Sequence, residues 1–129
     1  MVILLTGHLG FMGQNLKKRL ASLGHFVVGL DKKNGSSTSD WKNIEPLLKE
    51  KLDIIVHLGA NCSSQISLRE PAIDFKDNVI GTFNVCELSR LNGGVPIIFN
   101  STMKVYKGED GIIPPYGVSK TIGEMYLKL

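Results

Sequence analysis

The sequence predicts an α/β protein: a doubly wound parallel sheet of about five strands in the order 3-2-1-4-5, with helices on both faces. Three observations carry that expectation. Apolar, β-branched runs alternate along the chain with stretches whose apolar residues recur at helical spacing. The first run, Val2-Ile3-Leu4-Leu5, leads into Thr6-Gly7-His8-Leu9-Gly10-Phe11-Met12-Gly13, three glycines spaced G-x-x-G-x-x-G between a strand and a helix. The second run ends on a carboxylate, Asp31, 18 positions after Gly13.

Strand one is Val2–Thr6, an unbroken apolar run suited to burial on both faces. Helix one spans 11–23, because Phe11, Met12, Leu16, Leu20 and Leu23 fall at helical spacing and Gly24 stops it. Strand two is Phe26–Leu30. Residues 32–39 are polar and rich in Ser and Gly, a loop with a short third strand expected near 37–39. A helix follows over about 44–51, and then the clearest strand, 53–58, where Ile54-Ile55-Val56 is continuous and β-branched. A long helix spans about 71–91, with Pro71 in its first turn. Its residues Ala72, Phe75, Val79, Phe83 and Cys86 share one face, expected to cover the sheet. Ile73, Ile80 and Leu91 form a second stripe that can meet a neighbour or a partner subunit. Strand five is 95–100, and a loop holding Pro114-Pro115 leads into a last helix from Tyr116.

A chain of 129 residues is expected to form one domain, 1–129, and can bury about two-thirds of its unfolded surface. Its 43% hydrophobic and 21% charged residues are those of a soluble globule. A dispersed net charge of +3 argues against a nucleic-acid partner, and Lys17-Lys18-Arg19 read as a solvated helix face. No run approaches membrane-spanning length, and Val2–Leu5 is too short and lacks the basic leader of an export signal. Cys62 and Cys86 make no disulfide framework and are expected as reduced thiols, Cys86 packed with Phe75 and Val79. The expected location is cytoplasmic. The motifs include no metal-ligand set.

The glycine turn suits a pyrophosphate. Glycine lets the chain turn sharply and brings backbone N–H groups to phosphate oxygens with no Cβ between, and a helix N-terminus adds unpaired donors and partial positive charge. A carboxylate at Asp31 can accept hydrogen bonds from both ribose hydroxyls of an adenosine and repels a 2′-phosphate, which favours NAD over NADP. Lys32 and Lys33 weigh the other way, since a cation there tolerates the extra phosphate. Tyr116-Gly117-Val118-Ser119-Lys120 places a phenol and an ammonium on one helix face. Lysine, with a nicotinamide cation, is expected to lower the tyrosine's pKa and make it a general acid/base. Ser101-Thr102 follows strand five at the sheet's carboxyl edge, where such sheets bind ligands.

These motifs, in this order, resemble the extended short-chain dehydrogenase/reductases, and specifically the NAD-dependent epimerase/dehydratase family, whose members mostly modify nucleotide sugars on a Rossmann-type fold. His57-Leu58-Gly59-Ala60 and Asn78-Val79-Ile80-Gly81-Thr82 belong to the same match, as do Val105-Tyr106. The resemblance implies that Gly7, Gly10, Phe11, Met12 and Gly13 cradle the pyrophosphate and that Asp31 holds the adenosine ribose. It implies that Asp40 and Trp41 border the adenine, that Leu58, Gly59 and Ala60 line the dinucleotide, and that Asn78 faces the active site. Thr102, with Ser101 as fallback, and Tyr116 are then catalytic, and Lys120 binds the nicotinamide ribose and tunes Tyr116. Family dehydratases carry an acidic pair after the catalytic threonine; here stand Met103 and Lys104, which disfavours dehydration. The connection from Asp31 to Asp40 is short, as in reductase-like members.

The family continues for about as many residues again, so the resemblance implies that strand six and the sugar-binding lobe lie outside this sequence, which is then a fragment of a longer protein or a naturally reduced one. The expectation is an NAD-dependent nucleotide-sugar epimerase or reductase, moving a hydride at a sugar hydroxyl or keto carbon. The rival is a non-catalytic or partner-completed dinucleotide-binding module. The resemblance also implies a homodimer through helices 71–91 and 116–129.

Overall fold

The computed structural model describes residues 1–108 and 111–128. It forms a parallel sheet flanked by helices on both faces. Strand β1 (Val2–Thr6) pairs with β2 (Phe26–Leu30) on one side and β3 (Ile54–His57) on the other, and β4 (Ile97–Phe99) pairs with β3, so the order is β2-β1-β3-β4. The register sets Thr6 beside Leu30 and His57, and His57 beside Phe99. Those four residues end their strands in one row, and the functional groups gather along that carboxyl edge.

The third strand expected near 37–39 does not form, and the sheet has four strands among the described residues. The expected order survives without its outermost member. Local bonds win in this segment: the Ser37 and Ser39 hydroxyls bond each other at 2.9 Å, and the Ser37 carbonyl accepts from Asn43 Nδ2. The loop docks on a helix instead, with Asn84 Nδ2 donating to the Thr38 carbonyl at 2.9 Å. The helix expected over 44–51 starts earlier, as α2 (Trp41–Ile44), and tightens into a 3₁₀ segment (Glu45–Lys49) at Pro46. A short helix, α3 (Ser64–Arg69), was not expected; Ser63 caps it by accepting from Ile66 N.

Helix α1 (Phe11–Ser22) lies on one face of the sheet, over Ile3, Leu5 and Val56, which it covers with Leu16 and Leu20. On the other face Leu4, Leu30 and Ile55 pack against Ile44, Val85 and Leu88. Gly29, a weak strand residue, leaves room for the buried His8 ring, which a Cβ there would meet at 2.7 Å.

Helix α4 covers 71–91. It begins as Pro71–Asp74, passes through a π-helical segment, Phe75–Ile80, and continues as Gly81–Leu91. The face expected to cover the sheet points largely outward: Phe75 is 52% and Phe83 41% exposed, and Cys86 is only half-buried. Val79 of the expected face is buried, together with Asp74, Asn78, Thr82, Asn84, Val85, Leu88 and Ser89. The wider π turn shifts the helix phase, so a regular 3.6-residue period read through it is right at Val79 and wrong at Phe75 and Phe83. Much of the true row is also polar and invisible to an apolar pattern. The last helix, α5 (Pro115–Tyr126), starts on a proline at its first position.

This phase has a stability consequence. Leu88→Ala is expected to lower the unfolding free energy by about 2–5 kcal/mol, whereas Phe75→Ala changes it by no more than about 0.5 kcal/mol. Urea titrations of both variants check it, and equal losses would restore the face that the sequence suggested.

Candidate functional site

A cleft of about 520 Å³ opens at the carboxyl edge between the glycine turn, the end of β2 and the loop after β3. Its floor depends on two close approaches. Gly7 has φ +70°, and a Cβ on it would lie 2.8 Å from Gly59 N; a Cβ on Gly13 would lie 2.1 Å from the Gly7 carbonyl oxygen. Only glycine permits both. The Gly7 N–H donates to the Leu30 carbonyl at 2.8 Å, which fixes the turn to β2. Helix α1 begins at Gly10, which has no side chain to cap the first-turn N–H groups. A cradle that a Cβ would fill, at the start of a 12-residue helix with no side-chain cap, fits a diphosphate.

Gly7, Gly10, Phe11, Met12 and Gly13 all line this cleft. So do Asp31, Leu58, Gly59 and Ala60. The buried Asp31 carboxylate accepts from Leu9 N through Oδ2 and from Lys33 N through Oδ1, both at 2.9 Å. These bonds fix its orientation and leave each oxygen a further lone pair for a ribose hydroxyl. The wall opposite is set by a buried chain of bonds. Gly59 N donates to Thr6 Oγ1 at 3.0 Å, Thr6 Oγ1 bonds His57 Nδ1 at 2.6 Å, and His57 Nε2 bonds Thr82 Oγ1 at 3.1 Å. Burial, assisted by the nearby Lys120 charge, pushes the His57 pKa down to about 3, so the ring is a neutral bridge between sheet and helix.

Asp40 and Trp41 stand apart from the cleft. Asp40 caps α2 by accepting from Lys42 N at 3.1 Å, and Trp41 is half-buried against the core. Asn78 is fully buried beneath the site. Its Oδ1 accepts from Asn61 N at 2.7 Å, and its Nδ2 faces the Asp74 carboxylate at 2.8 Å, Asn61 O at 3.0 Å and Ser119 Oγ at 3.3 Å. It therefore ties the loop after β3 to α4 and α5.

Tyr116 and Lys120 are both buried, one turn apart on α5. A Cβ on Gly117 would lie 2.0 Å from the Lys104 carbonyl oxygen, so the helix start presses on the 3₁₀ turn Met103–Val105 and sets Thr102 beside Tyr116. Burial pushes the Tyr116 phenol up; the Thr102 hydroxyl opposes that, and Cys62 and Asp74 add to it. The Lys120 ammonium lies 3.9 Å over the Phe99 ring, which stacks in turn on His57 at 5.7 Å. Burial drops the Lys120 pKa to about 8 against the pull of Glu124 and Asp74. Ser101, the fallback, donates to the Glu124 carboxylate.

Several cleft residues escaped the sequence reading, among them Thr38, Cys62, Asp77 and Asn100. No local motif marks them; they reach the cleft because a loop, a π segment and a strand end converge. Among the described residues no helix is long and apolar enough to cross a membrane.

A model of the NAD dependent epimerase/dehydratase family matches residues 3–128. A putative UDP-glucose 4-epimerase of Methanocaldococcus jannaschii is 30% identical, over 99% of this chain and 50% of its own length. The UDP-glucose 4-epimerase of Thermotoga maritima, solved with UDP-glucose, superposes with a TM-score of 0.89 at 32% identity, over 99% of this chain and 50% of that one. A dTDP-4-dehydrorhamnose reductase of Bacillus anthracis, solved with NADP, superposes with a TM-score of 0.87 at 25% identity, over 98% and 49%. The chain spans about half the length of the curated relatives it matches.

The neutral His57 bridge makes stability acid-sensitive. Its folded pKa of about 3 lies below the ordinary 6.5, so below 6.5 the unfolded chain binds a proton that the folded chain refuses. From this group stability is full above 6.5 and is lost as pH falls towards 3, by about 1.4 kcal/mol per pH unit. Urea titrations between about pH 6 and 5 are expected to show that slope in the wild type and a shallower one in His57→Gln; equal slopes would remove the histidine from the account.

Proposed function

The chain belongs to the NAD dependent epimerase/dehydratase family, and from that membership we propose that it binds NAD in the glycine-floored cleft and serves hydride transfer on a nucleotide sugar, as an epimerase or a reductase. The observation that carries this reading is that one sheet edge holds both the diphosphate cradle and the Thr102, Tyr116 and Lys120 cluster. Gly7, Gly10 and Gly13, with the first-turn amides of Phe11 and Met12, would hold the diphosphate; Asp31 would hold the adenosine ribose and turn the preference towards NAD over NADP. Leu58, Gly59 and Ala60 would line the dinucleotide. The bound coenzyme supplies a hydride acceptor or donor.

The chain's own part is positioning and proton transfer. Tyr116 would take the proton from a sugar hydroxyl or return it to a keto oxygen, and Thr102 would hydrogen-bond the same oxygen and favour the phenolate. Lys120 would meet the nicotinamide ribose. With burial holding the phenol up in this structure, the positive charge that brings it into range would arrive with the oxidised coenzyme. Asp40, Trp41 and Asn78 would then act from outside the cleft, Asn78 by holding Asn61 and Ser119.

A second reading is favoured by one observation, that none of Thr102, Tyr116 and Lys120 lines the glycine-floored cleft. On that reading the sugar site is completed by another polypeptide, or the chain is a coenzyme-binding module without turnover. A second copy is the other partner we propose: exposed Ile73, Phe75 and Phe83 on α4 and Met125 on α5 form apolar surface on the two helices.

Calorimetric titration with NAD and NADP, followed by turnover with UDP-, GDP- and dTDP-sugars, tests the proposal. Tyr116→Phe is expected to keep NAD affinity and lose at least about 100-fold in turnover. Failure of both coenzymes to bind at millimolar concentration would sink the reading, and coenzyme binding without turnover in the wild type would favour the module. Sedimentation that shows only monomer at micromolar concentration would remove the homodimer.

A further inference from the structure

We propose that Asp77 governs which coenzyme the cleft accepts, by occupying the Lys32 ammonium that would otherwise greet a 2′-phosphate. The inference rests on the coenzyme-binding reading above and deepens it. Lys32 directly follows Asp31, and Lys32, Asp31 and Asp77 line the same cleft. The 3₁₀ turn Lys32–Asn34 is fastened to the end of β2, because Asp31 Oδ1 caps it by accepting from Lys33 N. Lys32 Nζ reaches from that turn to Asp77 Oδ2 on the π segment of α4, at 2.7 Å. The pair thus bridges two walls of the cleft beside the ribose carboxylate.

The second cation there is also taken: Lys33 Nζ donates to the Leu9 carbonyl at 3.2 Å. Sequence alone suggested that two lysines after Asp31 tolerate NADP. Each ammonium already gives one of its three N–H donors to a protein acceptor, so a 2′-phosphate would share the Lys32 charge with Asp77 and would also meet two carboxylates, Asp31 and Asp77. Phosphate recognition depends on charge-assisted donors, and Asp77 both offsets the Lys32 charge and fixes its position. An ion pair with its lysine side chain 56% exposed adds little to fold stability. Its removal should therefore alter the cleft without unfolding the chain. Asp77 is a positioning residue, acting through Lys32.

Calorimetric titration of the wild type, Asp77→Asn, Asp77→Glu and the double variant Asp77→Asn with Lys32→Met tests this. Asp77→Asn is expected to tighten NADP about fivefold or more while NAD stays within about twofold, the gain of one charge-assisted bond. Asp77→Glu keeps the wild-type ratio, and Lys32→Met in the Asn background abolishes the gain. The gain also shrinks as salt is raised, because it is a charge effect centred on a lysine side chain that is 56% exposed. An unchanged NADP-to-NAD ratio in Asp77→Asn with NAD still bound overturns the inference and leaves the parent reading standing, as does a gain that survives loss of Lys32. Failure of the wild type to bind either coenzyme overturns both.

Discussion

The close packing of the glycine turn is the constraint on which the rest of the site depends. The Gly7 carbonyl and the Gly13 α-carbon meet with no room for a methyl group, and Gly7 also presses on Gly59, though less closely. Those contacts bring the start of α1, the end of β1 and the loop after β3 to one point. The cleft forms beside that point because three backbones can approach where side chains are missing. Asp31 then extends the arrangement to β2, its carboxylate bonded to Leu9 within the turn and to Lys33 beyond it.

Behind this cradle the molecule is held by a polar seam where an apolar one is the usual solution. Thr6, His57 and Thr82 bond in sequence through the sheet, and Asp74, Asn78, Asn61 and Ser119 bond between α4, α5 and the loop after β3. Buried polar groups are costly unless every partner is in place. Such a seam therefore specifies one arrangement more sharply than interchangeable leucines do. Next to Ser119 of this seam, Lys120 lies over Phe99, the ring that stacks on His57, and burial draws its pKa down to about 8.

The Thr102, Tyr116 and Lys120 cluster and the cradle are separate constructions joined by this seam. Tyr116, Lys120 and Thr102 depend on the meeting of α5 with the turn after β4, where Gly117 packs on Lys104. Cys62 lines the cleft and also acts electrostatically on Tyr116 and Lys120, so it marks where the two halves meet. Burial raises the Tyr116 phenol, and the Thr102 hydroxyl beside it works the other way.

The amino-acid order by itself determined the elements whose forces are local. Strands β1 and β2 were legible to the residue because continuous apolar runs ended at turn glycines and Asp31, and the glycine turn was legible because its chemistry is backbone chemistry at fixed spacing. Tertiary structure decided whatever depends on a partner distant in sequence. Residues 37–39 became a loop in which the Thr38 carbonyl accepts from Asn84 Nδ2, 46 positions away, and takes no strand partner. The buried face of α4 was settled by a π turn that no apolar period reports, and Trp41 went to the core and not to the cleft. The Lys32–Asp77 pair spans 45 positions, and His57 finds its threonines 51 residues before and 25 after it. Local propensity cannot encode such pairings, since a hydrogen bond or ion pair has meaning only once the chain has brought both ends together.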